Sequence, residues 1–349
     1  MDQKTPLSKR FIITCAAGII ILAVFFFIIL MVGAVKLPAG EILNVLMGKE
    51  TSSPYVSTIV LESRLPMAIG SLCCGVTLSL AGLMMQTIFH NPLAGPSVLG
   101  ISSGASLGVA LIMLSASGIA GGLTVVSLQS VISIVGALAG GIGTILILYV
   151  FSSMLKSSLT LLIVGIMISY LCSSVIALLN YFSPSDEIRS FLVWGLGSFD
   201  TLRLETSVWL AILSALSVVP VIFFIKPLNA LLLGERYLES VGYKETKFRG
   251  CVLLTTGLLV AVPTAFCGPI GFIGLIVPHL CRMIFRSSNH LVLIPGCIIG
   301  GAVVSLGCAV IEIIPSAELG ILPINVITPL IGVPVIIYLL LNREKLLYF

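Results

Sequence analysis

The sequence predicts an all-α fold: a polytopic bundle of about ten membrane-spanning helices, forming one domain over residues 1–349. Three observations carry that prediction. Of the residues, 58% are hydrophobic and only 9% are charged, against about 25% charged in a soluble domain. Mean hydropathy is +1.20. Between Arg64 and Lys156 there is no Asp, Glu, Lys or Arg at all. Water does not solvate such a surface, so a soluble enzyme and a disordered chain are excluded. The net charge of +4 is too small and dispersed to mark a nucleic-acid-binding face.

Each crossing needs about 20 apolar residues, and the charge-free intervals supply them in order. Phe11–Val35 comes first, preceded by Lys4, Lys9 and Arg10. It exceeds the roughly 7–15 residues of a signal-peptide core and is expected to stay as an anchor. Breakers at His90-Asn91-Pro92 through Pro96 and at Ser115–Gly122 divide the next interval into Leu65–Phe89, Ser97–Ser117 and Gly122–Phe151. Further spans follow at Ser158–Phe182, Glu205–Ile225, Gly250–Phe266, Ile270–Phe285, Leu291–Ile313 and Leu322–Leu341. Tyr181–Phe199 reads as a short interfacial helix, because Asp186, Glu187 and Arg189 interrupt it and Trp194 suits the headgroup level.

The distribution of basic residues tests this topology. With the N-terminus inside, 13 of the 18 Lys and Arg residues fall on cytoplasmic segments, as the positive-inside rule requires. Lys36, Lys49, Arg64, Arg189 and Arg203 remain outside, and an even number of spans places both termini in the cytoplasm.

Small residues recur four apart at Gly100, Gly104 and Gly108, at Gly136 and Gly140, and at Gly296 and Gly300. That spacing lets membrane helices approach closely. The nine cysteines form no CxxC pair and have no histidine at ligand spacing, so they read as small packing residues, with no metal or other cofactor expected.

Little chemistry is written into the rest. No GxxxxGK[ST] is present, so this chain binds no ATP through a P-loop, and HExxH is also missing. A GxSxG does occur at Gly100–Gly104, but inside an apolar helix instead of at a strand-to-helix turn. His90, His279 and His290 fall at loop ends, and a lone His279 lacks the partner ligands a metal needs. Glu312 is the one carboxylate near a span interior, and beside Pro315 it reads as a solvated helix end. An ion-coupled secondary transporter and an intramembrane serine hydrolase using Ser102 are the alternative readings. The first lacks a carboxylate relay and the second lacks a histidine partner.

One segment is out of character. Residues 226–249 form the longest polar stretch, cytoplasmic by the topology above. They contain Leu233-Gly234-Glu235-Arg236 and, further on, Gly242, with glycines placed as at helix ends. A connecting loop and a short helix presented to a cytoplasmic partner both satisfy that pattern.

Several motifs together carry a resemblance. Arg64-Leu65-Pro66 opens the second span, and Met85-Gln86 leads into Asn91-Pro92-Leu93-Ala94-Gly95-Pro96 and Leu99-Gly100-Ile101-Ser102. Trp194-Gly195 precedes Gly197-Ser198-Phe199, and the Gly234–Gly242 segment precedes Gly268–Leu275 with Val277-Pro278-His279. Leu322-Pro323-Ile324-Asn325 and Gly332-Val333-Pro334 come last. In this order, along almost the full chain, they resemble the permease subunit of bacterial ABC importers for iron-siderophores, haem and cobalamin.

The resemblance implies a homodimeric permease in the bacterial inner membrane, two cytoplasmic ATPase subunits and an extracytoplasmic substrate-binding protein. It implies no catalytic residue in this chain and no nucleic-acid partner. It places Gly234, Glu235, Arg236 and Gly242 in the segment that docks into the ATPase, and Ser157 and Ser158 at the cytoplasmic gate. Arg64 matches an arginine that pairs with a carboxylate of the binding protein. The chain departs from the pattern at Met67, where relatives often have a second arginine, and before the last span, where Glu312 and Glu318 replace a basic residue.

Overall fold

The computed structural model describes residues 9–33, 35–49, 53–114, 126–155, 157–314 and 322–341. The Ser115–Gly122 patch, Glu318 and the basic residues Lys4, Lys156, Arg343 and Lys345 lie outside them. Among the described residues every regular element is helical. In chain order the α-helices are α1 (Lys9–Met31), α2 (Ala39–Leu46), α3 (Pro54–Ile59), α4 (Leu65–Ile88), α5 (Ile101–Met113) and α6 (Val126–Met154). They continue as α7 (Ser158–Phe182), α8 (Ser185–Gly195), α9 (Leu204–Phe223), α10 (Ile225–Leu231) and α11 (Glu235–Ser240). The last four are α12 (Glu245–Cys267), α13 (Ile273–Phe285), α14 (His290–Ile313) and α15 (Ile324–Leu341).

Seven of these are long and apolar enough to cross a bilayer, with α3 and α4 running as one span through a π-helical turn at Val60–Arg64. Three shorter apolar helices, α5, α13 and α15, bring the total to ten, as the charge-free intervals predict. Both α5 and α13 have 13 residues. At about 1.5 Å per residue that is roughly 20 Å, short of the bilayer's roughly 30 Å hydrocarbon core. Each is preceded by irregular backbone that must be satisfied within the protein. Before α13, Asn325 does this: its Oδ1 accepts from Gly271 N at 3.1 Å, and its amide donates to the Pro269 carbonyl at 2.5 Å.

The centre of the bundle is α4, with 20 of its 24 residues buried. It packs against α9, α12, α13 and α14. Glycines set the distances: a Cβ on Gly82 would lie 1.6 Å from the Gly274 carbonyl oxygen, and one on Gly75 would lie 2.1 Å from that of Gly301. The predicted stripes on α5 and α6 meet each other, with Gly108 against Gly136 and Gly104 against Gly140. Without a hydrophobic drive between helices in lipid, such backbone-to-backbone approach is what packs them. By contrast α1 buries only Ile29 and Leu30.

Candidate coupling and gating site

Two glycines shape the out-of-character segment. Gly234 has φ +107 and Gly242 has φ +92, conformations that favour glycine, and they bracket α11. Six residues are too few for a helix to persist on its own propensity. α11 is held instead by Leu238, which is fully buried, and is flanked by an edge-to-face ring cluster in which Phe248 lies 5.8 Å from Phe224 and 6.2 Å from Tyr243. Its other face is open. Leu233, Tyr237 and Val241 are exposed and line a groove of about 500 Å³ together with Lys226, Asn229 and Tyr243. Glu235, Arg236 and Glu239 are exposed on the same short helix.

Ser157 and Ser158 stand a short distance away. Ser157 caps α7, its hydroxyl accepting from Thr160 N at 3.4 Å. Ser158 accepts from Arg249, whose guanidinium also donates to the Leu155 carbonyl at 2.7 Å and pairs with Glu245 at 3.6 Å. Arg249 is thus buried beneath the α6–α7 turn while belonging to the helix that follows α11. Ser158, Glu235, Glu245 and Arg249 line one small crevice with Ile88, Leu231 and Phe248. Glu235 repels the Glu245 carboxylate across it, while Arg249 attracts it. The structure therefore brings Glu235 and Ser158 together, while Gly234, Arg236, Gly242 and Ser157 lie outside the crevice. The residues that join them, Glu245 and Arg249, escape sequence reasoning that counts them only as charges on a cytoplasmic segment. Their i,i+4 spacing at a helix start marks them as a pair, though not what that pair reaches.

The opposite end of the bundle differs from expectation in two places. Arg64 is buried, and it donates to the carbonyls of Leu30 at 2.6 Å, Met31 at 3.2 Å and Val35 at 2.5 Å. It neutralises the orphan carbonyls at the C-terminus of α1, as a cation there should. The exposed basic residues at this end are Lys36, Lys49, Arg189 and Arg203. Glu312 is not a solvated helix end: it is fully buried, and Oε1 accepts from the Ser198 hydroxyl at 2.7 Å and from Phe199 N at 3.4 Å. The loop it holds also pairs with Cys267 and, through Gly197, with Ile324. Three motif segments far apart in sequence thereby interlock. Asp200 in this loop is partly buried, which pushes its carboxyl up from the usual range, against the opposing hydrogen bond of Ser63.

One of the three histidines also departs from the loop-end expectation. His90 does follow α4 and His290 opens α14, but His279 lies within α13, buried beside Gln86. Against expectation, the GxSxG motif does not lie wholly inside a helix: α5 begins only at Ile101, after a left-handed Gly100. Among the described residues no group of three or more His, Cys, Asp or Glu side chains is placed to hold a metal.

A family model described as the FecCD transport family matches residues 21–342. The chain belongs to that family. FecCD relatives include the vitamin B12 import system permease proteins BtuC of Salmonella paratyphi A and of Salmonella typhi. Each is 36% identical over 296 residues, which cover 82% of this chain and 84% of the relative. A solved structure, described as an inward-facing conformation of a metal-chelate type ABC transporter, superposes with a TM-score of 0.81 at 28% identity. The match covers 94% of this FecCD chain and 99% of that one. The chain is accordingly a multi-pass inner-membrane permease subunit of an ABC importer.

Proposed function

We propose that this permease works as a homodimer with two ATPase subunits seated on the α10–α11 groove and a substrate-binding protein on the opposite face, both termini lying in the cytoplasm. Its cargo is a metal chelate of the iron-siderophore, haem or cobalamin class, the last being the substrate named for its BtuC relatives. One observation carries the mechanism: Glu235, Glu245, Arg249 and Ser158 meet in a single crevice. Movement of α11 against an ATPase is passed through the start of α12 to Arg249, and Arg249 holds the α6–α7 turn at Ser157 and Ser158. Gly234 and Gly242 let α11 turn as a unit, and Arg236 adds charge to its docking face. Contact with the binding protein rests on the exposed Lys36, Lys49, Arg189 and Arg203, with Arg64 bracing the end of α1 that leads to Lys36.

The test is co-purification and transport. Glu235→Arg abolishes ATPase co-purification while membrane insertion persists. Arg249→Ala retains co-purification but lowers the amount of cargo moved per ATP, because the α6–α7 turn loses its tie to α12. Unchanged co-purification in the first variant removes the docking role. Uptake into proteoliposomes driven by a pH or sodium gradient without any ATPase overturns the whole reading. Titration of the binding protein with cyanocobalamin, haemin and ferrichrome selects among the cargoes.

A further inference from the structure

A chain of polar groups starts at the groove beside α11 and ends inside the bundle on α4. Asn229 of α10 lines the groove. Its Oδ1 accepts the backbone N–H of His290 at 2.8 Å, which orients the amide so that oxygen, not nitrogen, faces the imidazole. Its Nδ2 turns the other way and donates to Asn289 Oδ1 at 2.9 Å. An acceptor 2.8 Å from His290 Nδ1 requires that nitrogen to carry the proton. In the neutral ring Nε2 is then an acceptor, and it lies 2.9 Å from the Thr87 hydroxyl, which shares its single proton between Nε2 and the Leu83 carbonyl, also at 2.9 Å. His290 and Thr87 are both buried.

Gln86, the residue before Thr87, is buried as well and repeats the pattern toward α13. Its Oε1 accepts from Arg282, and its amide donates to the Leu275 carbonyl at 3.1 Å and faces His279 Nδ1 at 3.2 Å. Residues 86 and 87 are thus where α13 and α14 are tied to α4 by directional polar bonds, and α10 reaches α4 through His290. Apolar faces slide past one another with little preference. A buried hydrogen bond is either made or broken, so a linked set moves as a unit. The backbone then leaves α4 for the turn at Asn91–Gly95, which leads to α5.

We infer that Asn229, His290 and Thr87 form a second transmission route, carrying movement of α10 to the inner end of α4, separate from the Arg249 route to Ser158. The inference rests on the reading that an ATPase subunit docks on α10–α11. The three are positioning residues: they touch no cargo and act through α4.

A reporter on the far side of the route tests it. Leu93, exposed in the turn after α4, is replaced by Cys in a chain whose Cys15 and Cys251 are Ser. The permease–ATPase complex is labelled with a maleimide with and without ATP plus vanadate. The expected labelling rate differs about fivefold or more between the two conditions, the lower end of ordinary coupling between sites. Thr87→Val, which deletes the hydroxyl at constant volume, abolishes the difference while the ATPase still co-purifies. Asn229→Ala does the same from the groove side, and Thr87→Ser restores it. A wild-type route whose reporter ignores ATP and vanadate, or a Thr87→Val chain that responds like wild type, overturns the inference. A wild-type permease that fails to co-purify with its ATPase overturns the docking reading beneath it.

Discussion

Helices α1 and α4 are both apolar and both long enough to span a bilayer, yet the structure treats them oppositely. α1 is almost all aliphatic and aromatic, and it buries only Ile29 and Leu30. α4 carries Ser71, Thr77, Ser79, Gln86 and Thr87, and it is the most enclosed span in the bundle. In water the more hydrophobic helix goes inside. In lipid, tails satisfy aliphatic side chains as well as protein does, whereas hydroxyl and amide groups find partners only in the protein. The more polar helix, with small residues that permit close approach, therefore becomes the core. The polar ties of α4 follow the same rule, since Gln86 and Thr87, which bond α13 and α14, are among the groups lipid would not accept.

Substitutions at matched positions break or sharpen that comparison, and glycines give the widest separation. Gly82→Ala drives a methyl into the Gly274 backbone, an overpacking that nothing flexible relieves. It costs above about 3 kcal/mol, so unfolding in mixed micelles occurs at markedly lower denaturant. On α1, Gly18→Ala meets the Cγ2 methyl of Ile299, a side chain and not backbone, so the midpoint falls by clearly less. Next comes Gln86→Leu, which removes a partner of the buried Arg282. Its expected cost is about 1–3 kcal/mol, read by the same titration, because a charged group loses an acceptor in the interior. Ser79→Ala deletes one interhelical bond, from Ser79 Oγ to the Cys297 carbonyl at 2.7 Å. It lowers stability by about 0.6 kcal/mol, seen as a small drop in melting temperature. Smallest of all is Ile13→Val on the exposed face of α1, expected to stay within about 0.5 kcal/mol. A large effect at Ile13, or none at Gly82, removes the distinction between the two helices.

Span positions are legible in the chain because charge and breakers mark them. α7 begins and ends at Ser158 and Phe182, where Lys156 and the Pro184–Arg189 polar stretch bound the run, and α8 sits where Asp186 and Glu187 interrupt it. Side-chain environments are less legible. Glu312 beside Pro315 has the local look of a solvated end, but the Ser198–Phe199 loop, more than a hundred residues earlier, folds over it. Arg64 lies on the face opposite the coupling segment, but the carbonyls of Leu30, Met31 and Val35 claim its guanidinium. Nothing local to Arg249 announces that it reaches Leu155 and Ser158. In each case the deciding partner is far away in sequence.

What the sequence determined by itself was the solvent and the number of crossings. An apolar run long enough to span must be helical in lipid, whatever surrounds it, because every backbone group has to be satisfied within the segment. The tertiary structure alone decided which helix is central and which polar groups meet. It also decided that Arg249, near the start of α12, reaches the α6–α7 turn in a crevice shared with Glu235 of α11. Those outcomes depend on backbone approach at glycines and on pairing between distant residues. A one-dimensional pattern of hydropathy carries no information about either.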